Sequence, residues 1–210
     1  PFVEKTGKSQ ETGLTIDMLD AMNTFQDTYQ FQFVPTSSKR RYTDFEQGMY
    51  DMILFESLEW GWADMDIEAS KVFLQGGEVY ITRADPSKDQ RYFENFEGKS
   101  MALYRGYHYG FADFNADEQF LQERFNAQIS NSHEGNIIKI LRGRADIAVV
   151  TQSFLARYLK DNPDVSEQLL ISLKLDQQYH HTILIRKGAK PTVDEINALL
   201  TGMEKAGILE

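Results

Sequence analysis

The apolar positions of the chain follow two periods, and the change from one to the other marks out the elements. Leu14, Met18, Leu19 and Met22 recur at helical spacing and predict a helix over residues 14–24, with Thr12 as its cap. Phe31 and Phe33 alternate with polar neighbours before Pro35 and predict a short strand over 31–34. Ser37 or Ser38 then caps a helix that carries Lys39, Arg40, Tyr42 and Phe45 and stops at Gly48. Residues 51–55 read as a buried strand, 72–82 as an extended segment interrupted at Gly76-Gly77, and 101–104 as another buried strand. Further on, helices are predicted over 117–125, 134–142, 153–160 and 191–206, and strands over 127–130, 145–150, 169–173 and 181–186. The helix over 134–142 places Ile137, Ile138 and Leu141 on one face. Residues 2–13, 56–69 and 84–91 read as loops, the second holding both tryptophans. Strands alternate with helices throughout, which predicts an α/β fold with largely parallel sheets.

One pattern occurs twice. Phe45 to Phe55 and Leu141 to Val150 each run from a helix end through Gly-x-x-Asp into four apolar residues. Gly48 and Gly143 end the helices, and Asp51 and Asp146 open the strands. The repetition predicts two similar α/β lobes, although such joints are common in α/β folds.

Composition narrows the class. The chain has 210 residues, a net charge of −10 and no cysteine. The acidic balance argues against a nucleic-acid partner and against an anionic membrane surface. The lack of cysteine excludes disulfides, thiol nucleophiles and cysteine-type zinc sites. Of the four histidines, His180 and His181 are adjacent and point to opposite faces of a strand, and His108 and His133 have no partner at ligand spacing. No metal and no cofactor are therefore expected. Nucleophile-elbow, phosphate-loop and dinucleotide patterns are absent. The chain starts at Pro1-Phe2 without an apolar leader, as expected if an upstream segment has been removed.

The stretch from Phe96 to Gly110 carries the most chemistry. Its strand ends in a turn that gathers Arg105, Tyr107, His108 and Tyr109 around Gly106. Open α/β sheets bind ligands beyond the carboxyl ends of their strands, so this turn is a candidate site wall.

With these residues in view, the chain resembles the bacterial extracellular solute-binding proteins of family 3, the amino-acid-binding periplasmic proteins of type II fold. The likeness runs through Pro1-Phe2, Gly13-Leu-Thr-Ile-Asp-Met-Leu, Lys39-Arg40 and Gly48-Met-Tyr-Asp51. It continues through Phe96-Glu-Gly-Lys-Ser-Met-Ala-Leu, Gly143-Arg-Ala-Asp146, Ile185-Arg-Lys-Gly188 and Gly207-Ile208-Leu209. The resemblance implies two lobes, each a mixed sheet flanked by helices, with two crossover strands and the ligand in the cleft. Lobe I is expected over residues 1–77 and 181–210 and lobe II over 78–180, with crossings at 76–79 and 177–180. Lobe I is expected to lack the strand that family members carry before the Pro-Phe pair.

The resemblance implies a periplasmic, exported, monomeric protein, its signal peptide outside this sequence. It captures a small solute, without catalysis, for an ABC transporter permease or a membrane receptor. A receptor's sensing domain and a lyase or dehydratase on the same fold are the alternatives. Family members that bind α-amino acids carry an arginine about a dozen residues after the position of Asp51 and an aspartate at the position of Thr151. This chain has neither, so the expected solute is polar or aromatic and not an α-amino acid in the usual pose. Arg105 is then the first anion anchor and Arg40 the second, unless Arg40 is simply a solvated helix residue. Glu56 is a ligand acceptor or a backbone cap. Trp60 and Trp62 stack on ligand or pack lobe I, Phe2 and Tyr107 form walls, and Thr151 faces the site by analogy. His108 touches ligand or packs beside it.

Overall fold

The computed structural model describes residues 4–6 and 10–209, and Phe2, expected as a site wall, lies outside them. The chain divides into two compact units, lobe I (Pro1–Gln75 with His180–Glu210) and lobe II (Gly76–Tyr179). In chain order the elements are β1 (Glu4–Thr6), β2 (Gln10–Thr12), α1 (Leu14–Phe25), α2 (Arg41–Glu46), β3 (Met52–Glu56), β4 (Ile67–Ala69) and β5 (Leu74–Arg83). They continue with β6 (Met101–Tyr104), α3 (Glu118–Phe125), β7 (Ala127–Ser130), α4 (His133–Leu141), β8 (Ile147–Thr151), α5 (Gln152–Asp161), β9 (Leu169–Arg186) and α6 (Val193–Lys205).

In lobe I the carboxyl-terminal part of β9 pairs antiparallel with β3 on one side and β4 on the other. Met18, Leu19 and Met22 of α1 meet Ile196, Leu200 and Met203 of α6 over Ile183 and Ile185. A capping box starts α6, with the Thr192 side chain and Glu195 satisfying each other's backbone N–H groups. Thr192→Ala is expected to cost about 1 kcal/mol, read as a lower urea midpoint with unchanged m-value.

Lobe II has strand order β5-β8-β6-β7. β6 runs parallel to β7 and β8, and β5 antiparallel to β8. Both faces of this sheet are covered, which explains why β8 is an unbroken apolar run. Ala102, Ala148 and Val150 face Ile137 and Ile140 of α4. Met101, Leu103, Ile147 and Val149 face Phe93, Tyr109 and Leu121.

The repeated Gly-x-x-Asp pattern does the same work in both lobes. Gly48 and Gly143 adopt φ of 73° and 64°, the left-handed region that glycine enters without a Cβ penalty. The next residues, Met49 and Arg144, donate back to the carbonyls of Asp44 and Lys139, closing a Schellman-type helix end each time. The aspartates then tie the new strand to a neighbour: Asp51 pairs with Arg186 at 3.0 Å, and Asp146 accepts from the Ser100 N–H and hydroxyl.

Several local expectations are corrected. Residues 4–6 and 10–12 form an antiparallel hairpin where a loop was expected. The cap position of α1 is Gly13, and no side chain caps that helix. Residues 31–34 make no strand, because the Asn23 side chain takes both the N–H and the C=O of Phe31. The irregular stretch after Glu56 contains β4. Residues 169–173 and 181–186 belong to one strand, β9. The pairings of lobe I are antiparallel among the described residues, so the expected parallel character holds in lobe II alone. On α4 the fully buried pair is Ile137 and Ile140. Gly76 and Gly77 do not interrupt β5. A Cβ at Gly76 would lie 2.3 Å from the Tyr179 ring, and one at Gly77 2.8 Å from the Gln152 amide, so both glycines serve close approach.

Candidate functional site

In lobe II the chemistry collects at the carboxyl ends of the parallel strands. Tyr104 ends β6, Ser130 ends β7 and Thr151 ends β8. Beyond β6 the ladder runs one bond further, Arg105 N–H to the Ser130 carbonyl at 2.8 Å, and Gly106 then turns the chain with φ of 72°. Tyr109 is buried and its hydroxyl accepts from the Tyr104 N–H at 2.7 Å, pinning the turn to the strand. Tyr107 packs on Tyr104 and against His133, with ring centroids 4.7 and 5.4 Å apart.

His133 opens α4, whose first turn is capped by the Ser132 hydroxyl. Its ring sits between Tyr104 and Phe154, at 4.7 and 5.2 Å. Burial pushes its pKa down to about 3, so it is a neutral imidazole at ordinary pH. The Tyr107 hydroxyl lies 3.4 Å from its Nε2. Three buried polar atoms near these strand ends have no hydrogen-bond partner among the described residues: His133 Nδ1, Asn136 Nδ2 and Thr151 Oγ1. Thr151 also occupies the cap position of α5 without capping it. Buried polar groups are nearly always satisfied, so such a set is a place for a ligand's own donors and acceptors.

Arg105 is held. Its Nη1 reaches both carboxylate oxygens of Glu118, at 2.7 and 2.6 Å, and its Nε donates to the Asn131 side chain at 3.2 Å. The His108 Nδ1 lies 2.7 Å from the Phe114 carbonyl, an acceptor, so that nitrogen carries the proton. Gln177 donates to the His108 carbonyl. The ring of His108 is therefore fixed by its own loop.

In lobe I the polar centre is a buried pair, of which the sequence pointed to Glu56 but not to Arg41. Arg41, 6% exposed, places Nε 3.0 Å from Glu56 Oε1, a charge contact without an aligned hydrogen bond. Its guanidinium also lies over the Tyr42 ring. Trp62 Nε1–H donates to Glu56 Oε2 at 2.7 Å. Burial raises the Glu56 pKa, and Arg41 and Trp62 oppose the rise. Trp62 is fully enclosed, packed on Tyr42 and Phe45. That corrects its reading as a stacking surface: it packs the lobe. Arg40 is exposed and pairs with Asp44 one helical turn on, which is the solvated-helix reading. Trp60 meets His181 edge-on at 5.8 Å and stays partly exposed. His181 is buried and its pKa is pushed down to about 4, while adjacent His180 is exposed.

A bulge explains how Glu56 reaches this centre. Strict alternation would put it on the face of Met52 and Leu54. Between Ile53 and Glu56 the register slips, and Phe55 takes φ of 61°. Phe55 thus joins Met52 and Leu54 in one cluster, and Glu56 turns toward Trp62. Arg41 was legible in principle, since it stands one helical turn before Phe45 on the same face.

Two α/β lobes, linked by β5 and β9, define a two-lobe binding protein of type II fold. The chain belongs to the family of periplasmic substrate-binding proteins of phosphonate ABC transporters, whose profile matches residues 20–210. The resemblance pointed to the amino-acid-binding proteins; the family shown is the phosphonate one, and two of the three similar solved structures that follow are described as amino-acid-binding proteins. The arginine-, lysine-, histidine-binding protein ArtJ of Geobacillus stearothermophilus is 15% identical with a TM-score of 0.71, covering 99% of this chain and 86% of that one. The ancestral amino-acid-binding protein AncCDT-1, a precursor of cyclohexadienyl dehydratase, is 19% identical with a TM-score of 0.70, covering 100% and 86%. The periplasmic VFT2 domain of Bordetella pertussis BvgS is 19% identical with a TM-score of 0.65, covering 100% and 87%. A search of curated proteins found no match. Among the described residues no helix is long and apolar enough to cross a membrane.

Proposed function

We propose that the protein captures a small polar or aromatic solute with a face from each lobe and delivers it to an ABC-type permease, acting as a monomer without catalysis. The observation that carries this reading is the set of unpartnered buried atoms at the strand ends of lobe II, His133 Nδ1, Asn136 Nδ2 and Thr151 Oγ1. Tyr104, Tyr107 and Phe154 around His133 supply apolar walls, the usual make-up of a small-molecule site. In lobe I, Trp60 is the aromatic surface left for the solute once Trp62 is assigned to packing. The sequence carries no arginine about a dozen residues after Asp51, where the resembling family forks an α-amino acid's carboxylate, which supports a solute other than an α-amino acid in that pose. Residues 1–77 with 181–210 and residues 78–180 act as the two closing bodies.

A thermal-shift screen of polar metabolites, phosphonates included, is expected to give hits that raise the melting temperature. A solute at a hundred times its Kd adds about 2.7 kcal/mol. Scattering with a hit should show compaction. A screen with no shift anywhere would remove the reading. For an anionic hit, Arg105→Ala should weaken binding more than Arg40→Ala, because the solute anion draws Arg105 from Glu118 while Arg40 stays on its helix. Equal affinity in wild type and Arg105→Ala would place the anion elsewhere.

A further inference from the structure

Arg105 stands at a strand end of lobe II with its charge already engaged. It follows Tyr104 directly, and its N–H extends the ladder to the Ser130 carbonyl. Its Nη1 lies 2.7 and 2.6 Å from the two carboxylate oxygens of Glu118, and its Nε donates to Asn131 at 3.2 Å. The side chains of Arg105 and Glu118 are 37% and 26% exposed. The pair is therefore open to solvent and to anything dissolved in it.

Such a pair ordinarily fastens a turn, but this turn is fastened without it. The Tyr109 hydroxyl accepts from the Tyr104 N–H. Asp176 of β9 accepts from the Tyr80 hydroxyl at 2.5 Å and from the N–H groups of Gly110 and Phe111 at 2.8 and 2.9 Å. Gln177 donates to the His108 carbonyl and to the carboxyl of Glu78, a buried residue of β5. The helix α3 has its own cap, the Asp117 side chain accepting from the Phe120 N–H at 2.8 Å. Partly exposed ion pairs add little to stability, so the turn and the helix do not depend on this one. What the pair does settle is the state of the guanidinium, which has a carboxylate in the place an anion would take. That carboxylate is not stranded when it lets go. Glu118 is the first residue of α3, where the N–H groups of the opening turn favour negative charge.

We propose that Glu118 is a built-in competitor for the anion seat at Arg105. The free protein neutralises the guanidinium with its own carboxylate, and an anionic solute binds by taking the place of Glu118. The inference rests on the reading of Arg105 as anion anchor and adds the residue that sets its affinity. No covalent bond changes: one carboxylate leaves the guanidinium as another anion arrives, so the count of charge-assisted hydrogen bonds is kept. The cost of opening the pair is the same for every anion, and a neutral solute does not bear it. Glu118 therefore lowers the affinity for all anions by one common factor and tilts this strand end toward solute groups that carry no charge.

Acetate and sulfate, titrated at constant ionic strength, test it. Glu118→Gln should raise the affinity for both anions by the same factor, roughly 3- to 10-fold. A mere change of field would count twice in free energy for the dianion and square the factor for sulfate, and that result would overturn the proposal. Glu123→Gln removes the same charge further along α3 and should change either affinity by less than about twofold, because solvent and salt screen an exposed charge. A gain as large as that of Glu118→Gln would again point to the field alone. Wild-type protein gives a second measurement that needs no variant to fold. Sulfate should move the NMR signals of the Arg105 Nε and the Glu118 carboxyl carbon together, to one saturation point. An Arg105 signal that moves while Glu118 stays still would overturn the exchange. If Arg105→Ala weakens sulfate but Glu118→Gln changes neither anion, the competitor is wrong and the anchor stands. If Arg105→Ala leaves sulfate unchanged, or if neither wild type nor Glu118→Gln binds either anion, anchor and competitor fall together, and a neutral hit in the thermal-shift screen would still support solute capture.

Discussion

Arg41→Met is expected to lower the unfolding free energy of lobe I by about 3–5 kcal/mol near pH 8, the cost of leaving a buried partner without its counter-charge. Arg41 and Glu56 are both under a tenth exposed, so water does not screen the loss. Methionine keeps the aliphatic packing, and the effect is then mostly electrostatic. The sign with pH follows from Glu56. Its pKa is raised by burial, and Arg41 is the larger of the two influences that hold it down. Removing Arg41 lifts it further. A carboxyl with a raised folded pKa contributes stability at low pH that is lost as pH rises through that value. The deficit of Arg41→Met should therefore grow as pH rises above the ordinary carboxylate range and shrink on acidification. Tryptophan fluorescence during urea unfolding reads it directly, since Trp60 and Trp62 both lie in this lobe. A deficit independent of pH would mean that the two groups are not an ion pair in solution.

The same pair shows what the sequence could and could not disclose. The helix carrying Arg41 and the strand carrying Glu56 follow from periodicity, because both bury apolar faces. The bulge at Phe55 does not, since a single slipped residue leaves the apolar count of the strand unchanged while reversing which face Glu56 occupies. The assignment of Glu56 to a ligand or a backbone cap missed its true partners for that reason. In lobe II the strand ends carrying Tyr104 and Thr151 were legible, because continuous apolar runs stop at polar residues. His133 was not, since a lone histidine at a helix start does not announce that Tyr104, Tyr107 and Phe154 will close around it. Glu78 was hidden likewise. A glutamate after two glycines reads as a break in the strand, whereas the glycines make room for Tyr179 and Gln152 and let β5 pass unbroken. Close approach between segments distant in sequence is the element that periodicity lacks.

Asp176→Ala is expected to cost at least about 3 kcal/mol, through orphaned donors rather than lost charge. It leaves the Tyr80 hydroxyl and the Gly110 and Phe111 N–H groups without the acceptor they share, and an unsatisfied buried donor costs about 1–3 kcal/mol. The seam has no slack, since a Cβ at Gly110 would stand 2.4 Å from the Asp176 carbonyl oxygen. Gly110→Ala should thus loosen the same turn by overpacking, at about 1–3 kcal/mol. Both variants should raise amide exchange at Gly110 and Phe111. They separate on Glu78, whose pKa Asp176 helps to raise. Asp176→Ala should bring it down toward the ordinary carboxyl range, and Gly110→Ala should leave it high. NMR titration of the Glu78 carboxyl carbon distinguishes them, and an unmoved Glu78 in Asp176→Ala would show that burial alone keeps that group protonated.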